Sequence, residues 1–136
     1  MKLLLKKTKP GNLPYVSLYH GTHLYNFIID TGSTCNWIEA KTLGNFLQEG
    51  ETRIDSRTVN GEKCKVLHAT LRVERRKYTE EDDTAFKFGA AFCSGELNNL
   101  EELNNHTKQR IHGILGMEFL DENCVSINLK NYNLTA

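Results

Sequence analysis

Long apolar runs are missing from this chain. The nearest approach to one, Leu3-Leu4-Leu5 behind Lys2, falls short of the roughly 7 to 15 residues of a signal-peptide core and the roughly 18 of a membrane span. Met1 to Lys9 therefore reads as an edge strand, and no membrane partner is expected. An excess of either charge is missing too: Lys plus Arg number 17 and Asp plus Glu number 17. With no field of one sign, nucleic acid is not an expected partner. The four cysteines, Cys35, Cys64, Cys93 and Cys124, lack Cys-x-x-Cys spacing, which argues against a zinc or redox site. They read as reduced, mostly buried thiols, and the expected location is cytoplasmic. Sequons at Asn105 and Asn133 matter only in a secretory compartment.

What is present is ordinary globular material. The 136 residues are 39% hydrophobic and 25% charged, enough for one folded domain over 1–136 with its own core. Apolar and polar residues alternate over Tyr15 to Tyr19, Leu67 to Val73, Phe86 to Phe92 and Val125 to Leu129, the period of strands with one buried face. Pro10-Gly11, His20-Gly21, Asn60-Gly61 and Ser94-Gly95 punctuate them, at intervals suited to an all-β barrel or sandwich. Helix is expected at Glu39 to Leu47, at Gly95 to Asn105, where Leu97, Leu100 and Leu103 share a spacing, and for a turn or two near Met117 to Asp121. The near-repeat Glu96-Leu-Asn-Asn and Glu102-Leu-Asn-Asn is too short for a solenoid unit and reads as a local insertion. Arg75-Arg76-Lys77 and the acidic run Glu80 to Asp83 read as a solvated hairpin tip.

Two stretches carry chemistry. In Phe27-Ile28-Ile29-Asp30-Thr31-Gly32-Ser33-Thr34, an apolar strand runs into an acid, a hydroxyl residue and a glycine that permits a tight turn. Read alone, this is a placed carboxylate or an ordinary Asp-Gly turn in equal measure. In Ile111-His112-Gly113-Ile114-Leu115-Gly116-Met117-Glu118-Phe119-Leu120, a strand passes close to another backbone before a helix. Together, apolar-apolar-Asp-Thr-Gly-Ser and then apolar-Leu-Gly-x-x-Phe-Leu resemble the retropepsin-like aspartic proteases.

The resemblance implies an all-β, closed barrel-like retropepsin (acid protease) fold with one or two short helices. It implies a homodimeric aspartic endopeptidase that takes a peptide or protein substrate and uses no cofactor. Asp30 would be the catalytic aspartate and Thr31 would bond across the two-fold axis. Gly32 would permit the turn, and Ser33 would bond the outer carboxylate oxygen. Ile114-Leu115-Gly116 would pack beneath the loop in a psi-shaped crossing. Val59, Asn60 and Gly61 would form the tip of the substrate-covering flap, although this tip lacks the glycine-rich sequence of viral relatives. One Asp-Thr-Gly per chain supplies half of a two-carboxylate machine, which a symmetric dimer completes. A non-catalytic dimer of the same fold, acting as a peptide-binding or assembly module, is the alternative.

Other candidates are weaker. His20 and His23 lack a recognisable third ligand, so no metal site is expected. Cys35 lacks a visible His or Asn partner for nucleophilic chemistry, and Trp37 reads as a core aromatic sooner than as a pocket wall. Ser17, Ser33 and Ser126 have no Gly-x-Ser-x-Gly context.

Overall fold

The computed structural model describes residues 2–48, 52–59, 61–73, 87–95 and 98–136. The charged stretch at 75–83 and the residues Asn60, Glu96 and Leu97 lie outside the described residues. In chain order the strands are β1 (Lys2–Leu4), β2 (Lys6–Lys7), β3 (Pro14–His20), β4 (His23–Ile29) and β5 (Asn36–Glu39). Helix α1 (Ala40–Gln48) follows, then β6 (Thr52–Val59), β7 (Glu62–Val73), β8 (Lys87–Gly95) and helix α2 (Asn98–His106). The chain ends with β9 (Gly113–Leu115), helix α3 (Met117–Glu122), β10 (Ser126–Asn128) and β11 (Asn133–Thr135).

The large sheet runs β2-β3-β4-β9-β5-β8-β7-β6, and an extra pairing of β3 with β7 closes six of these strands into a barrel. The architecture is therefore all-β and barrel-like, with short helices set against it. A helix forms in each of the three expected stretches, but the second begins at Asn98: Gly95 belongs to β8, and Glu96 and Leu97 are outside the described residues. Ser94-Gly95 is not a turn: both residues end β8, in parallel register with Ile38 and Glu39 of β5. Met1 to Lys9 supplies two edge pieces, β2 at one end of the large sheet and β1 in a separate sheet of order β1-β11-β10.

Alternation dictates which face of each strand is buried. Leu67, Ala69 and Leu71 of β7 point into the barrel, while Val66 joins a second cluster outside it with Ala91, Cys93, Cys35 and Trp37. Phe27, Phe46, Phe92 and Phe119 are fully buried inside, each contributing about 1.5–3 kcal/mol relative to exposure. Phe46 brings α1 into this core, edge-on to Phe92 at 5.8 Å, and Phe119 brings α3 against Phe88 at 5.6 Å. Helix α2 covers a third cluster, its Leu100 and Leu103 resting on Tyr15, Ile28 and Ile111. Its Asn104 side chain brackets Ile111, accepting from the N–H at 2.7 Å and donating to the carbonyl at 2.8 Å.

The strand β9 lies between β4 and β5, parallel to the first and antiparallel to the second. That crossing positions everything that follows.

Candidate active site

Asp30 sits at the end of a buried strand. Ile28 and Ile29 pair with Ile114 and Leu115 of β9, and the Asp30 N–H extends the ladder to the Leu115 carbonyl at 3.0 Å. The chain then reverses. The Ser33 N–H donates to the Asp30 carbonyl at 3.1 Å, and the Gly32 N–H donates to Asp30 Oδ1 at 2.9 Å. One main-chain group, the Gly32 N–H, thus orients the carboxylate, and the Ser33 N–H closes the turn on the Asp30 carbonyl. The Ser33 hydroxyl does not reach that carboxylate. It donates to the Cys35 carbonyl at 2.7 Å, the local two-residue bond that serine makes readily with nearby backbone.

The close approach expected of the second stretch is present. A Cβ placed on Gly116 would lie 2.4 Å from the Ser33 carbonyl oxygen and 2.5 Å from that of Cys35. One on Gly113 would lie 2.4 Å from the Trp37 carbonyl oxygen. Only glycine lets the two backbones touch. Contact is then converted into hydrogen bonds: the Met117 N–H donates to the Ser33 carbonyl at 2.8 Å and the Glu118 N–H to the Thr34 carbonyl at 3.0 Å. The start of α3 therefore holds the loop from below. Buried Asn36 completes the clamp, accepting from the Gly116 N–H at 2.9 Å and donating to the Ala91 carbonyl at 3.1 Å. A polar residue inside Cys35-Asn36-Trp37-Ile38 was the one available sequence signal for it.

Two hollows flank the loop. One, of about 490 Å³, opens at exposed Thr31 and is walled by Met117, Leu120, Val125 and Ile127. The other, of about 540 Å³, has Gly32 to Cys35 on one side and Arg57 and Thr58 of β6 on the other, with Trp37 and Glu118 between them. Trp37 fits both of its readings: half-buried on β5, it packs against the Val66, Ala91 and Cys93 cluster and also lines this hollow. The β6–β7 hairpin forms where Asn60-Gly61 predicts it, with Val59 opposite Glu62 and Gly61 at a φ of +82°.

Across the second hollow, the Arg57 guanidinium donates through Nη1 and Nη2 to the two carboxylate oxygens of Glu118, at 2.7 and 2.8 Å. These hydrogen bonds raise Arg57 further above its usual range, so it stays cationic. The residues are 61 positions apart, and no local pattern links them in the sequence.

All four cysteines are free thiols, but only Cys93 is buried, and Cys124 is exposed. The expectation of mostly buried thiols fails because Cys35 and Cys64 are only partly covered and Cys124 occupies a surface turn with a φ of +52°. Burial, with Cys93 alongside, pushes the Cys35 thiol up, which suits a packed thiol better than a nucleophile. His20 and His23 face each other across the β3–β4 turn. Among the described residues, no group of three potential metal-donor side chains is found, and no helix is long and apolar enough to cross a membrane.

No protein-family model matches the chain, and no curated protein matches it.

Proposed function

We propose that this chain is one subunit of a homodimeric aspartic endopeptidase of the retropepsin-like class, acting on peptides or proteins held in extended form. The observation that carries the reading is the Asp30 loop itself. An Asp-Thr-Gly-Ser turn stands at the end of a buried strand, held from beneath by a glycine that touches it backbone to backbone. An ordinary surface turn has no need of such support. Thr31 is exposed at the mouth of the hollow bounded by Met117, Val125 and Ile127, a suitable face for a second copy.

In the dimer, two Asp30 carboxylates meet at the two-fold axis and hold one proton between them, because close like charges cannot both ionise. The ionised carboxylate takes a proton from a water lying between the two, and the resulting hydroxide attacks the scissile carbonyl carbon. The protonated carboxylate donates to the carbonyl oxygen. The carboxyl that took the water's proton then gives it to the amine nitrogen, and collapse of the tetrahedral intermediate breaks the C–N bond, releasing acid and amine while the proton on the carbonyl oxygen returns to the dyad. The Gly32 N–H at 2.9 Å from Oδ1 fixes each carboxylate without adding a charge. The β6–β7 hairpin, beside the same loop, serves as the flap, with Val59 ending β6 and Gly61 preceding β7. The cytoplasm, where thiols stay reduced, is the fitting compartment.

Digestion of casein or a peptide library from acidic to neutral pH tests the reading, with Asp30→Asn as the control. Wild type should cleave and the variant should not, and light scattering should give a mass near twice the 15.5 kDa of one chain. Equal digestion by both proteins, or no digestion by a dimeric wild type, would sink the enzyme and favour a peptide-binding module.

A further inference from the structure

The β6–β7 hairpin is tied down by a contact that closing the barrel does not require. Strand β6 is an edge strand, paired only with β7, and its Ile54, 55% exposed, adds little packing. The hairpin is rooted in the barrel through β7, which pairs with β8 from Val66 to Arg72; Arg57, opposite Cys64, lies in the part that projects beyond β8 and ties it to the body of the protein. The guanidinium meets Glu118 in a two-pronged, charge-assisted pair, with the side chains only 33% and 18% exposed. The same Nη2 lies 3.6 Å from the Sγ of buried Cys93. This geometry is the strong form of an ion pair, planar fork on carboxylate and partly withdrawn from water.

Its anchor is equally specific. Glu118 is the residue whose own N–H holds the Thr34 carbonyl, so its backbone is fixed to the Asp30 loop. Ser33, Cys35 and Trp37 lie in the hollow between hairpin and loop. Lys41 and Glu101, by contrast, meet at 3.8 Å with side chains 76% and 65% exposed, a surface pair of little consequence.

We propose that the Arg57–Glu118 pair is a strap that holds the β6–β7 hairpin shut over the pocket beside Asp30, so that a peptide can enter only when the pair parts. As regulation of the active site, the idea rests on the protease reading. As a statement about access to the pocket, it does not. Opening exchanges a partly desolvated pair for two hydrated ions, and salt and loss of either partner shift the population toward the open form.

The chain supplies its own reporter, because its single tryptophan is Trp37, in the wall of this pocket. Quenching of Trp37 fluorescence by acrylamide, an uncharged probe, is measured on the full chain as wild type, Glu118→Gln, Arg57→Lys and Asp30→Asn. The Stern–Volmer constant should rise about twofold or more in Glu118→Gln and by less in Arg57→Lys, which keeps the charge but loses the fork. It should also rise in wild type between low salt and about 1 M NaCl, where screening acts within about 3 Å. Glu101→Gln, which breaks the exposed pair, and Asp30→Asn should match wild type.

A folded Glu118→Gln protein with wild-type quenching overturns the strap. Should that variant fail to fold, a salt-independent constant in wild type overturns it as well. Catalysis does not enter this measurement: opening in Glu118→Gln beside an inactive wild type removes the protease and keeps the strap, and an active wild type with unchanged quenching does the reverse.

Discussion

Adding one methyl group at Gly116 should cost more than any other substitution of comparable size near the loop. In Gly116→Ala the new Cβ would stand 2.4 Å from the Ser33 oxygen and 2.5 Å from the Cys35 oxygen, where real Cβ contacts essentially never fall below 3.0 Å. Both obstacles are backbone, so neither can swing aside, and each must retreat by roughly half an ångström or more. Retreat strains the Met117-to-Ser33 bond of 2.8 Å, the Gly116-to-Asn36 bond of 2.9 Å and the Ser33-to-Cys35 bond of 2.7 Å. Overpacking costs about 1–3 kcal/mol, and each weakened hydrogen bond up to about 1 kcal/mol more. The total is about 3–5 kcal/mol, against a typical domain stability of about 5–15 kcal/mol. Urea unfolding followed by Trp37 fluorescence reads it as a midpoint lower by about 2 M, given slopes of about 1–3 kcal/mol per M. Gly44→Ala is the internal contrast. Nothing lies within 4 Å of a Cβ at that exposed helical position, so alanine should stabilise by about 0.5–1 kcal/mol through helix propensity. A Gly116→Ala midpoint within about 0.5 M of wild type would refute the claim that the two backbones touch.

Two further outcomes follow from the polar groups behind the site. Asn36→Ala strands the Gly116 N–H and the Ala91 carbonyl in the interior; it should cost about 2–4 kcal/mol in urea unfolding and loosen the Asp30 loop, which on the proposed function would also abolish proteolysis. His112 is held low, first by burial and then by the Arg110 guanidinium, and its Nδ1 accepts the Asn26 N–H at 3.0 Å, a bond only the neutral ring can make. Its folded value lies below its unfolded one, so in that window the unfolded chain binds more protons and stability rises with pH. The contribution is whole above the unfolded value of about 6.5, falls as pH drops below it, and levels off once the folded ring is protonated. His112→Asn keeps an acceptor and cannot titrate, so thermal melts from about pH 5 to 7.5 should show a flatter slope for this variant. An unchanged slope would assign the dependence to other groups.

Local pattern and local chemistry were legible in the residues themselves. Period-two alternation marked β3, the inner half of β7, β8 and β10, because a half-buried strand needs apolar residues on one face only. Leu100 and Leu103 marked α2 for the corresponding reason. Asn60-Gly61 announced its hairpin through Gly61, which adopts a positive φ. The Asp-Thr-Gly-Ser loop and the close-approach glycine could both be read because each is written in consecutive residues. Contacts between distant segments were not legible. Position along the chain did not disclose that β9 would slip between β4 and β5, that Asn36 would bond Gly116 80 positions away, or that Arg57 would find Glu118. That Trp37 both packs on the Val66 cluster and lines the pocket was hidden for the same reason, since a strand residue's face is decided by what packs on each side, and the hairpin beside Trp37 arrives from elsewhere. The sequence by itself determined most of the turns, the alternating strands and the position of the carboxylate, because those depend on neighbours a few bonds away; Ser94-Gly95, read as a turn, extends because β5 pairs with it. Only the tertiary structure decided what supports that carboxylate and what covers it, because burial and charge pairing depend on which surfaces the closed barrel brings together.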